Sequence, residues 1–349
     1  MHNDGSTQFP AAPQSPADDP SPASEQPSVS PLGVLVGFDG SDQSTRALLY
    51  AARAAQRLGR VLTVVTAYTV PTLAYADAAL IPSVPAEVAR LAAAQDQLEE
   101  AREHLRGYPG RVDLRAEHGD AAGVLVKLSA QAQVAVVGAR GRGGFFGRLL
   151  GSVSSALPAH ALCPTVVVPR QYQIGTAEGA ARFAPVDEDT PVIAGIDRSA
   201  HSIPTSRIAA DAARTRNAPL HLLMVMPLLD DWGGASMAWL PDPDLLERHR
   251  AELAALLEAD ADQLRSEFPN LTITSEVTLA EPVSTLLERT ATSQLTVLGT
   301  RGRGRLSSTL LGSVSQAVLQ RAQGPVMVVP SPAHAQAAAD ASELSEQLP

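Results

Sequence analysis

The chain has 349 residues, of which 45% are hydrophobic and only 4% aromatic, and its formal net charge is -10. That length suits about two domains, with cores that Val, Leu and Ala must fill. The acidic balance argues against a broad nucleic-acid footprint, and no apolar run approaches the roughly 20 residues that span a bilayer. Residues 1–31 are rich in Pro, Ser and Ala and lack the basic start and apolar core of a secretory leader. They read as a disordered tail. The single cysteine, Cys163, rules out an intrachain disulfide and suits a cytoplasmic protein. It sits beside Pro164, where a strand begins, and reads as a buried structural thiol.

From Leu32 the chain alternates strands and helices. Leu32 to Gly37 is a short apolar run, read as a buried strand. Phe38-Asp39-Gly40-Ser41 ends it, and Leu48, Ala51, Ala52, Ala55 and Leu58 then recur at helical spacing. Val61 to Ala67 is a second strand, followed by a connection containing Pro71, Pro82 and Pro85. A helix from about Ala86 to Arg106, a strand from Arg111 to His118 and a helix from Ala121 to Ala130 follow. Val134 to Val137 is strand four. A helix starts near Ser152, with Pro158 inside it predicted to kink or shorten it. Pro164 to Val168 is strand five.

Residues 171–190 read as a linker, after which the programme restarts. Pro191 to Ser199 parallels Val34 to Ser41, and Leu220 to Met226 parallels strand two. Trp232 to Pro243 is a connection, and Leu245 to Leu264 a helix. Leu271 to Thr278, Val283 to Thr290 and Leu295 to Leu298 give a strand, a helix and strand four again. A helix from Ser313 and a strand from Pro325 to Val329 close the second copy. The preserved order marks a duplication, residues 32–170 and 191–330. Residues 331–349 read as a second disordered tail. Alternating strands and helices predict parallel sheets covered on both faces, with ligands beyond the carboxyl ends of the strands.

Each copy carries a glycine-rich loop after its fourth strand, spaced G-x2-G-x9-G-S. The first contains Gly138, Ala139, Arg140, Gly141, Arg142, Gly143, Arg148, Gly151, Ser152 and Val153. The second contains Gly299, Thr300, Arg301, Gly302, Arg303, Gly304, Gly312, Ser313 and Val314. Glycines let backbone approach a ligand, and N–H groups with a Ser hydroxyl at a helix start can hold phosphate oxygens. Arg140, Arg142, Arg301 and Arg303 match between copies and can pair with phosphate; a solvated loop charge is the alternative for any one of them. Neither loop has the lysine of a Walker loop, and neither has the spacing of a dinucleotide fingerprint.

Together these residues resemble the universal stress protein family in its tandem, ATP-binding form. The matched features are Val-Gly-Phe-Asp39-Gly-Ser and Ala-Gly-Ile-Asp197-Arg-Ser, both loops, and Cys163-Pro-Thr-Val-Val-Val and Gly324-Pro-Val-Met-Val-Val. The resemblance implies two open α/β domains of the adenine nucleotide alpha hydrolase-like type, each a five-stranded parallel sheet of order 3-2-1-4-5. They would pair as a pseudo-dimer through strand five, Val166 to Val168 with Met327 to Val329. It implies one ATP per repeat, with Mg2+ able to accompany the phosphates. Gly37, Asp39 and Ala67 would line the first adenine side, and Gly195, Asp197 and Val225 the second; the loops would hold ribose and phosphates. Ala280 departs from the pattern where Gly119 fits it, which predicts a slightly altered second crevice.

No Ser-His-Asp arrangement recurs, and the loops supply charge stabilisation without a general base. The expectation is a nucleotide-binding regulator of stress response or growth, with at most slow hydrolysis and no metal held by protein ligands alone. Two alternatives stay open. One is a weak ATPase or a nucleotidyl or phosphoryl transferase. The other is an interaction protein in which ATP is a structural ligand. Homodimerisation is also left open.

Overall fold

The computed structural model describes residues 31–70, 86–141, 150–173, 179–184, 189–199, 201–227, 243–300 and 311–331. Both expected tails and most of both glycine-rich loops lie outside these residues, apart from Pro31 and Ser331 at their borders.

The first half runs β1 (Val34–Gly37), α1 (Asp42–Leu58), β2 (Leu62–Tyr68), α2 (Ala86–His104), β3 (Val112–His118), α3 (Ala121–Ser129), β4 (Val134–Gly138), α4 (Ser152–His160) and β5 (Thr165–Val168). A short 3-10 helix, Gly179–Phe183, lies in the connection. The second half repeats the order as β6 (Val192–Gly195), α5 (Ser202–Arg214), β7 (Leu220–Met226), α6 (Pro243–Glu267), β8 (Ile273–Leu279), α7 (Pro282–Thr290), β9 (Leu295–Gly299), α8 (Ser313–Arg321) and β10 (Val326–Val329).

All ten strands form one sheet, ordered β3-β2-β1-β4-β5-β10-β9-β6-β7-β8. Each half has the expected 3-2-1-4-5 order, and pairing within each half is parallel. The halves join where β5 and β10 pair antiparallel, with Met327 opposite Val166. The expected pairing through strand five is therefore present.

Side-chain alternation along the strands builds two apolar layers. Val34, Val36, Val64, Val136, Val166 and Val168 face the layer covered by α1 and α2, which continues into the second half through Val192 and Ala194. Leu35, Val65, Ala135, Val137 and Val167 face the opposite layer, under α3 and α4. Burial on both faces explains why these strands read as continuous apolar runs. Helix α1 approaches the sheet closely because Ala47, Ala51, Ala52 and Ala55 are small and buried. Gly59, at φ 59°, ends it in the left-handed conformation.

Two expectations change. Helix α4 is not shortened by Pro158: it spans nine residues, as α8 does. Pro158 lies in the last turn and is buried, so its missing N–H removes only one intrahelical bond. The connection between the halves is more than a spacer. Phe183 is 1% exposed and packs edge-on against Tyr108, with ring centroids 5.2 Å apart. The Arg182 carbonyl accepts from Arg53 Nε of α1 at 2.9 Å.

Candidate functional site

At the carboxyl end of β1 the chain passes through Phe38, whose N–H bonds the Val65 carbonyl of β2, and reaches Asp39. Gly40, at φ 74°, makes a turn that L side chains rarely adopt. This turn brings Ser41 back onto Asp39. Asp39 Oδ1 accepts from the Ser41 N–H at 3.1 Å and from Ser41 Oγ at 2.6 Å. Ser41 Oγ in turn accepts from the Ser44 N–H at 3.1 Å, capping α1. The wall carboxylate and the helix cap are thus one unit.

The opposite wall is the end of β4. A Cβ added to Gly141 would lie 2.4 Å from Asp39 Oδ2, so only a glycine lets the loop backbone come this near the carboxylate. A Cβ on Gly138 would meet the Gln43 carbonyl oxygen at 2.7 Å, so Gly138 allows the first turn of α1 to close over β4. The neck of the loop is tied in three places. Ala139 N–H donates to the Val168 carbonyl at 2.9 Å, Gly151 N–H to the Ala139 carbonyl at 3.1 Å, and Ser154 Oγ to the same Ala139 oxygen at 2.7 Å.

Helix α4 then begins at Gly151, which supplies no side-chain cap. By contrast, Ser41 caps α1, Asp120 caps α3 and Glu281 caps α7. The start of α4 therefore presents N–H donors and the positive end of a helix dipole with no side chain of its own upon them. Ser152 is exposed there, and Val153 packs on the α3–α4 side of the sheet.

The second half repeats the arrangement with substitutions. Thr300 N–H donates to the Val329 carbonyl at 3.0 Å, Gly312 N–H to the Thr300 carbonyl at 2.7 Å, and Ser315 Oγ to the Gly299 carbonyl at 2.8 Å. Helix α8 starts at Gly312, again with no side-chain cap. Ser313 is exposed and Val314 packs as Val153 does. The carboxylate is held differently, however. Asp197 Oδ1 accepts from the Ser199 N–H at 3.0 Å and from Ser202 Oγ at 3.1 Å, so the hydroxyl donor comes from α5 itself. In place of Gly40 stands Arg198, at φ 60°.

The other predicted positions divide. Gly37 and Gly195 serve packing: an added Cβ would meet Leu125 Cδ1 at 2.8 Å and Leu298 Cδ2 at 2.6 Å, in the apolar layer. Ala67 and Val225 are part-buried near the ends of β2 and β7. Arg140 is part-buried at the loop neck. Arg142, Gly143, Arg148, Arg301, Gly302, Arg303 and Gly304 lie outside the described residues. Ala280 keeps the backbone bond that Gly119 makes: Gly119 N–H reaches the Tyr68 carbonyl at 2.9 Å, and Ala280 N–H the Met226 carbonyl at 3.0 Å. Only Gly119 needs positive φ, at 139°.

Sequence reasoning named Ser41 only as part of the turn and read His201 as an isolated histidine, and it gave Gln43 and Ser202 no role. The matched motifs already set Gly40 against Arg198, and carrying them two residues further sets Gln43 against His201. His221 is a satisfied surface-strand residue: its ring nitrogens reach Thr274 Oγ1 at 2.9 Å and Glu276 Oε2 at 3.0 Å, near the start of β7 and away from the crevice. No helix among the described residues is long and apolar enough to cross a membrane.

Comparison with known proteins agrees with this architecture. The profile of the universal stress protein family matches residues 33–169 and again 190–330. A universal stress protein of Mycobacterium tuberculosis is 33% identical over 310 residues, covering 86% of this chain and 96% of the relative. One from Mycobacterium bovis is 31% identical over 319 residues, with the same coverage. Among solved structures, a universal stress protein from Archaeoglobus fulgidus superposes with a TM-score of 0.58 at 17% identity, covering 85% of this chain and 96% of the other, which speaks to the fold. Two matched domains, one sheet of doubled 3-2-1-4-5 order and relatives aligned along nearly their whole length lead to one conclusion: the chain belongs to the universal stress protein family, as a tandem of two such domains.

Proposed function

We propose that each repeat binds one adenine nucleotide, ATP, and that the protein acts as a nucleotide-dependent regulator of stress response or growth. The observation that carries this reading is the pairing of an uncapped helix start, at Gly151 or Gly312, with a fixed carboxylate wall, at Asp39 or Asp197, across the ends of the first and fourth strands. An uncapped helix start suits a phosphate. A carboxylate is an acceptor and suits the donor-bearing nucleoside end. The two ends of the crevice therefore differ in chemistry as the two ends of a nucleotide do. Mg2+ can accompany the phosphates with few protein ligands.

The same geometry favours binding over turnover. Asp39 Oδ1 already accepts two hydrogen bonds from Ser41, which orients it as a wall. Hydrolysis needs a base poised on a water in line with the phosphate, and this reading assigns none, so turnover is at most slow. The buried Cys163 fits a cytoplasmic setting.

The test uses Gly151→Asp and Gly312→Asp, singly and together. At Gly151 the backbone (φ -69°, ψ 166°) accepts a side chain, and an added Cβ finds nothing nearer than 3.4 Å. Aspartate is a good N-cap, so the unliganded protein keeps its stability while the new charge occupies the phosphate position. The expected result is stoichiometric ATP released from denatured wild-type protein, or a thermal shift on adding ATP, with half lost in each single variant and all in the double. ATP binding retained by the double variant overturns the site. ADP accumulating with repeated turnover favours the enzyme reading instead.

A further inference from the structure

Gln43 Oε1 and His201 Nδ1 are buried polar atoms without a hydrogen-bond partner among the described residues. They stand at the same sequence offset in the two repeats, four residues beyond Asp39 and Asp197 respectively, Gln43 in the first turn of α1 and His201 at the N-cap of α5. Enclosed polar atoms almost always find a partner, and each one left unmatched is destabilising. That the same position is unmatched in both halves, with two different residue types, calls for a common cause.

Their placement supplies one. Gln43 is in the first turn of α1, directly after the turn that holds Asp39. Its Cβ lies 3.1 Å from where a Cβ on Gly138 would be, so it sits against the end of β4 at the root of the glycine-rich loop. His201 immediately precedes Ser202, whose hydroxyl holds Asp197. Gln43 thus stands between the Asp39 wall and the fourth strand, and His201 stands beside the Asp197 wall.

We infer that residues 43 and 201 are ligand-contacting positions that complete their hydrogen bonding on the bound molecule and make the two crevices unequal in selectivity. This rests on the nucleotide reading above and goes beyond it. The Gln43 oxygen is an acceptor, and phosphate oxygens are acceptors too. The group that satisfies it is a donor on the nucleoside, a ribose hydroxyl or the exocyclic amine. The imidazole of His201 presents one fixed ring nitrogen where the amide presents a pivoting oxygen. The two crevices therefore rank analogues that lack one donor differently.

The experiment isolates each crevice. Gly312→Asp protein reports on the first and Gly151→Asp protein on the second, with ATP, 2′-deoxy-ATP, 3′-deoxy-ATP, inosine triphosphate and inorganic triphosphate titrated by calorimetry. Gln43→Met, close in shape and without the acceptor, is added to the first background. The expected result is about a tenfold loss of ATP affinity, roughly what 1.4 kcal/mol represents, and no change for triphosphate. One analogue should lose nothing further in Gln43→Met, which identifies the donor. Without ligand, Gln43→Met should melt at or above the parent, which excludes damaged folding as the cause. His201→Gln in the second background should move its analogue ranking toward that of the first.

If the Gly312→Asp parent itself binds no ATP, the nucleotide reading fails and this inference with it. If the parent binds and Gln43→Met binds equally well, or loses triphosphate in the same proportion, the inference alone is overturned. An unchanged ranking in His201→Gln overturns the claim of unequal selectivity.

Discussion

Arg216, just past α5 in the second repeat, donates from Nη2 to the Tyr50 hydroxyl of α1 in the first repeat at 2.9 Å. Both residues are buried, and Arg216 Nη1 also donates to the Ala212 carbonyl at 2.9 Å. Tyr50 packs edge-on against Tyr172, their centroids 5.6 Å apart. Burial, reinforced by the nearby Arg216, pushes the Arg57 guanidinium down to about 10. The seam therefore has a polar clamp beside its strand pairing. Tyr50→Phe takes one acceptor from a buried guanidinium, which costs about 1–3 kcal/mol. Urea unfolding should show that loss, with no change in the nucleotide bound per crevice.

Arg198 occupies a backbone conformation that suits glycine, and Gly40 holds the matching place in the first repeat. A left-handed non-glycine residue costs roughly 1–2 kcal/mol, partly offset because glycine is freer in the unfolded chain. Arg198→Gly should therefore raise stability by about 0.5–1 kcal/mol, and Gly40→Arg should lower it by a similar amount. Thermal melts of the two variants should move in opposite directions. A lowered melting temperature for Arg198→Gly would show that the arginine side chain contributes more than its backbone strain costs.

Burial pushes the Cys163 thiol up from its ordinary 9.0 to about 12. The folded protein keeps the proton where the unfolded chain releases it. The contribution to stability is thus complete below about pH 9 and declines as pH rises from 9 toward 12. Wild-type protein should lose stability across that window more steeply than Cys163→Ala. At neutral pH, thiol reagents should label Cys163 only as fast as the protein unfolds, a rate that labelling in increasing denaturant measures.

Much of this was legible from spacing. The strand runs and the duplication survive intact because each depends on local pattern. The β5–β10 pairing came from the family resemblance, and it agrees with the need of an apolar edge strand for a partner. What escaped depends on three-dimensional enclosure. Nothing local marks Phe183 as a plug against Tyr108 rather than a residue in a spacer. Pro158 looks disruptive in sequence and is harmless in the last turn of α4. Gly37 and Gly195 read as part of the ligand motif, and only the folded chain shows that their missing side chains make room for Leu125 and Leu298. Sequence placed the difference between the repeats at Ala280; the turns after β1 and β6 differ as well, with Arg198 and His201 where the first repeat has Gly40 and Gln43.

The antiparallel meeting of β5 and β10 also fixes orientation. In each half the crevice lies at the carboxyl ends of parallel strands, and at the seam those ends point in opposite directions. Twist across the intervening strands rotates these directions somewhat away from directly opposite. The two mouths thus open on different sides of the molecule. A flat surface that covers one mouth therefore leaves the other uncovered. A partner that senses how many crevices are filled must either grip the molecule from two sides or read a strain carried through the β5–β10 ribbon.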